Sequence, residues 1–164
     1  MYDLSVPIFS RFLNNAAAIL KKAEAHCEAR KIDPTALTAF RMYPDMLPFT
    51  RQITIACDHA KGASARLAGI DVPSFEDVEK TLPELGARIA KTVGFIGSID
   101  PALFKDAAER TITLKIAGHE MSFPATTYLM AFAMPNFHFH LATAYNILRH
   151  NGVELGKGDY MGRA

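Results

Sequence analysis

The sequence predicts an all-α protein, an up-down four-helix bundle with one small β-hairpin before its last helix, and three observations predict it. Apolar residues recur three and four apart along four separate stretches, which gives each stretch the single apolar face of a core-facing helix. One stretch, Thr111 to Phe123, alternates polar and apolar residues instead, as a pair of strands does. Proline clusters and glycine stops separate these stretches, at the places where the chain must reverse.

The first helix carries Val6, Phe9, Leu13, Ala16, Leu20, Ala23 and Cys27 on one face, with Ser5 as N-cap and Pro7 tolerated in the first turn. Pro34, Pro44 and Pro48 then interrupt the chain, so residues 31–48 read as a long, tied-down connection with room for one short turn of helix. The second helix runs from about Pro48 to Leu67 on a stripe of Phe49, Ile53, Ala56, Ala60, Ala63 and Leu67, and Gly69 stops it. Thr81-Leu82-Pro83-Glu84 reads as a capping box opening a third helix, whose stripe is Leu82, Leu85, Ile89, Val93 and Ile96. Asp100-Pro101 starts a short turn, and Ala117-Gly118 is the turn of the hairpin. The fourth helix extends from about Thr126 to His150 and ends at Asn151-Gly152, leaving a short tail from Val153 to Ala164. All of it reads as a single domain, residues 1–164.

Composition narrows the function. At 164 residues and 18.0 kDa the chain is long enough to bury a sizeable core, and a 49% apolar share excludes disorder as its main state. Eighteen Lys and Arg balance 17 Asp and Glu with no run of like charge, which argues against nucleic acid as a partner. No apolar stretch approaches the ~20 residues that span a bilayer, so no membrane partner is expected and the chain reads as a soluble protein of the cytoplasm. Cys27 and Cys57 form no metal knuckle or Cys-x-x-Cys pair and read as buried, reduced thiols.

The candidate site lies on the fourth helix. Leu129, Ala133, Asn136, His140, Thr143 and Ile147 share one side of it, which puts an amide, an imidazole and a hydroxyl inside an apolar stripe. Buried polar groups must be satisfied, so these three form a closed network, line a wet pocket or bind a ligand. His59 sits at the edge of the second helix's alanine stripe, where small neighbours leave space. Pro135 removes a helix hydrogen bond just before Asn136, and irregular backbone is expected there. His138 points roughly 160° away from Asn136 and reads as a surface or interface residue. His26, His119 and His150 have no role in the site. A second apolar stripe, Met130, Met134, Phe137, Leu141, Ala144 and Leu148, needs a second cover; the hairpin could supply it, and the expectation is a homodimer that uses this face or surfaces near it.

The run Asn136-Phe137-His138-Phe139-His140 through Tyr145-Asn146-Ile147-Leu148-Arg149-His150-Asn151-Gly152-Val153 resembles the last helix of the DinB-like superfamily. Tyr2-Asp3-Leu4-Ser5-Val6-Pro7, Tyr43-Pro44-Asp45-Met46 and Cys57-Asp58-His59-Ala60-Lys61-Gly62 extend the likeness to a bacterial branch of unknown function. The resemblance implies a bundle that is often dimeric and holds a divalent metal on three histidines, with thiol-dependent transferases and isomerases among its members. By position His59 and His140 match two of those ligands, and Asn136 stands where the third histidine belongs. A carboxamide is a poorer ligand than imidazole, so zinc or nickel is expected to bind weakly or not at all.

Three readings stay open on the sequence. One is a metal-dependent hydrolase or thiol-dependent transferase on a degenerate His59, Asn136, His140 site with Thr143 at its margin. Another is a metal-free module that binds or senses a small molecule with the same residues. The last is a structural protein with a satisfied polar core.

Overall fold

The computed structural model describes residues 1–162. Helix α1 (Val6–Arg30) buries the predicted stripe from Val6 to Cys27. Ser5 occupies its N-cap position, but the hydroxyl turns back to the carbonyls of Met1 and Tyr2 instead of capping the helix. The proline-rich connection contains one short turn, α2 (Thr35–Thr38), and α3 (Phe49–Ala68) follows it. Gly69 ends α3 in the left-handed region at φ 74°, which glycine adopts without a Cβ penalty.

Helix α4 (Leu82–Gly97) opens with the predicted capping box. Thr81 Oγ1 accepts the Glu84 amide at 3.3 Å, and Glu84 Oε2 accepts the Thr81 amide at 2.9 Å. Strands β1 (Thr111–Ile116) and β2 (His119–Pro124) pair antiparallel around Ala117 and Gly118, both at positive φ as a two-residue turn requires.

The last helix is one rod in three parts: α5 (Ala125–Thr127), a π-helical segment (Tyr128–Ala133) and α6 (Met134–His150). The irregular backbone expected beside Pro135 is this π turn. Helix α1 packs chiefly on α4, α4 on α3, and α3 on α6, and the core lies among these four helices. Among the described residues no helix is long and apolar enough to cross a membrane.

Two expectations are corrected. The second stripe of the last helix needs no other subunit, because Met134, Phe137, Leu141, Ala144 and Leu148 are all buried within the chain. Phe137, for example, meets Phe9 of α1 edge-on at 4.9 Å; only Met130 of that stripe stays exposed. His138 is likewise not a surface residue. The tail folds into a short helix, α7 (Lys157–Met161), held on α1 by Lys22 to Asp159 and by Asn15 to the Tyr160 carbonyl. Tyr160 thereby reaches His138 Nδ1 at 3.0 Å, while Phe12 packs edge-on against the same ring. Five residues carry too little periodicity to be read as a helix from sequence; tertiary contacts hold them.

Candidate functional site

The α3 and α6 helices bring His59 and His140 together. Their rings are 6.0 Å apart between centroids and nearly parallel, at 17°. Both are half-buried, and Phe132 of the π segment stands edge-on to His59 at 5.8 Å.

His140 is oriented by a residue that sequence reasoning missed. Gln52 is almost wholly buried one turn into α3, and its Nε2 donates to the Leu47 carbonyl at 3.0 Å. Because that carbonyl can only accept, the carboxamide is fixed with Oε1 facing His140 Nδ1 at 2.7 Å. An oxygen there can only accept as well, so Nδ1 carries the proton and Nε2 keeps its lone pair. The signal was present in the sequence: Gln52 lies three residues after Phe49 and seven before His59, on the same helical face.

Burial and the positive charge of Arg51 hold the His140 pKa below the usual histidine value. His59 is pushed down to about 4, mainly by burial and then by His140 and Arg66. Both rings are therefore neutral at pH 7. Among the described residues His59 makes no hydrogen bond to protein.

The other two candidates are engaged by their own helix. Asn136 Nδ2 donates to the Phe132 carbonyl at 2.7 Å, supplying a donor next to Pro135, which has none. Thr143 is buried, and its hydroxyl donates to the Phe139 carbonyl at 2.7 Å. The remaining histidines lie elsewhere: His26 half-buried near Gly152, His119 and His150 exposed. Cys27 and Cys57 are buried free thiols, and burial pushes Cys57 up to about 12. Neither thiol is a nucleophile at neutral pH.

The resemblance to three-histidine metal sites is met here by two histidines, His59 and His140. Two imidazoles fit; among the described residues no three His, Cys, Asp or Glu gather around one point. Asn136 would bring a neutral amide oxygen, with its nitrogen tied to Phe132.

On the other side of His59 a cleft of ≈ 270 Å³ opens toward the hairpin, between Asp58, Arg66 and Tyr128 on one wall and Leu114, Lys115 and Ile116 on the other. Asp58, next to His59 in the chain, stands at the edge of this cleft while its carboxylate is held by a separate cluster. Its carboxylate meets Lys61 at 2.8 Å and Arg88 at 3.0 Å, and Arg88 also pairs with Asp77 and Glu79.

The chain resembles proteins of one kind. A family model described as a domain of unknown function, DUF1993, matches residues 1–161. A solved structure of a DinB family member from Shewanella denitrificans shares 42% identity over 98% of this chain and 91% of that one, with a TM-score of 0.89. No curated protein matches.

Proposed function

This chain belongs to the DUF1993 family, a DinB-like domain of unknown function, and we propose on that premise that it is a small-molecule-binding protein whose His59–His140 pocket works without a resident metal. The observation that carries the reading is the pair of stacked, neutral imidazoles 6.0 Å apart with open nitrogens. Gln52 leaves His140 Nε2 as a bare acceptor for a ligand hydroxyl, thiol or N–H. His59 with a pKa of about 4 is a weak proton acceptor at pH 7, where a general base works best near the operating pH. The pair is thus suited to hold a donor group and poorly suited to remove its proton.

A metal-dependent hydrolase or thiol-dependent transferase is the second reading, and one observation favours it. The Gln52 oxygen on His140 Nδ1 is the outer contact that orients imidazoles toward metals. Metal analysis of tag-free protein dialysed against a chelator separates the two. Fewer than about one zinc or nickel per ten chains is expected, because two neutral imidazoles hold these ions loosely. Near-stoichiometric metal, lost in both His59→Ala and His140→Ala, would put the metalloenzyme first.

A further inference from the structure

We propose that the cleft beside His59 takes a small apolar carboxylate, with the carboxylate on Arg66 and its apolar part against Phe132 and the hairpin. The inference deepens the ligand-binding reading above and rests on it.

Arg66 is a half-buried guanidinium with no carboxylate partner among the described residues. Its Nη1 donates to the hydroxyl of buried Tyr128 at 3.1 Å, a neutral contact that fixes the fork without neutralising it. The side chain folds back along α3 over Gly62, which has no Cβ in the guanidinium's way.

The cleft around Arg66 holds two cations and one acid. Lys115 on β1 lines the same cleft and is exposed, whereas Asp58, the acid at the rim, is already held by Lys61 and Arg88. An oriented guanidinium with a second cation nearby recognises a planar anion, and a carboxylate matches its fork with two parallel hydrogen bonds. The rest of the wall is apolar: Phe132 stacks between Phe123 and Tyr128 at 5.9 Å from each, with Leu114 and Ile116 opposite. Free inorganic phosphate would meet the cations and leave that wall wet.

Benzoate is the probe, with benzamide as its neutral isostere and inorganic phosphate as the anion without an apolar part. Calorimetry and side-chain NMR of the intact protein should show weak benzoate binding, on the order of millimolar as befits so small a ligand. Binding should fall about tenfold or more for benzamide and for Arg66→Met, and less, by about threefold, for the exposed Lys115→Met. Equal binding of benzoate and benzamide, or unchanged binding in Arg66→Met with its fold intact, would overturn the proposal. Phosphate binding as tight as benzoate would overturn its apolar half. Tight zinc with this benzoate pattern intact would remove the metal-free reading and leave the carboxylate site standing.

Discussion

Asp58 and His59 are neighbours on α3, yet each belongs to a different kind of polar interior. Asp58 joins a knot in which Arg88, with its side chain only 1% exposed, binds Asp58, Asp77, Glu79 and the Glu76 carbonyl. Lys61 and Arg51 supply further positive charge to Asp58 and Asp77. The knot ties residues 76–79 to α3 and α4, and nearly every polar atom in it has a partner; Arg88 Nε and Glu79 Oε2 are its two exceptions among the described residues. His59 faces the other way, into a pocket where both imidazoles keep nitrogens that no protein group has claimed. A buried polar group that is fully matched fixes the fold. One that is buried and still unclaimed has capacity left for a ligand.

The largest expected effect tests the first half of that contrast. Arg88→Met should lower unfolding stability by about 3–5 kcal/mol, because it leaves the nearly buried Glu79 carboxylate without a cation and takes one of two cations from Asp58 and from Asp77. Urea denaturation measures the loss, and the His140 tautomer seen by imidazole ¹⁵N NMR should stay unchanged. A loss below about 1 kcal/mol would place the knot among surface ion pairs of little consequence.

Next comes the acid response of the pocket. His59 has its folded pKa depressed to about 4 from an ordinary value of 6.5, so its neutral form is the one the fold favours. Above pH 6.5 that contribution is fully present. It is lost progressively as pH falls toward 4, because the unfolded chain takes up the proton first, and the change is on the order of 3 kcal/mol. His59→Leu should flatten this part of the stability profile, and an unaltered slope would assign the acid response to other groups.

The smallest effect concerns orientation. Gln52→Leu removes the acceptor from His140 Nδ1 and the donor from the Leu47 carbonyl, at a cost of about 1–3 kcal/mol. Its more specific signature is spectroscopic: the His140 ring should shift from a single Nδ1–H tautomer to a mixture. A tautomer that survives the substitution would show that something other than Gln52 orients the ring.

What could be read from the sequence follows the range of the interactions. The four helices, the Thr81–Glu84 box and the Ala117-Gly118 turn are written in spacings of a few residues, and the structure shows them where those spacings put them. His59 and His140 were legible because each lies on an apolar face, and the packing of α3 on α6 brings the rings together. Asn136 and Thr143 share that face too, but their side chains bond to carbonyls four residues back, a choice that helical phase alone does not reveal. The partners of Arg88 come from 9 to 30 residues away in the chain and leave no periodic trace. His138 looked outward only because the helix that covers it is too short to announce itself.

The π segment at Tyr128–Ala133 makes the last helix a rod with two phases. Each π turn holds one residue more than an α turn, so the face presented before the segment is offset from the face after it by roughly one residue's rotation, about 100°. Tyr128, at the near end, is thereby aimed at Arg66 and the hairpin, while His140, beyond Pro135, is aimed at Gln52 and His59. The extra residue acts as a gearing between two work faces, and a one-residue deletion there would return the helix to a single phase that can serve one of them but not both.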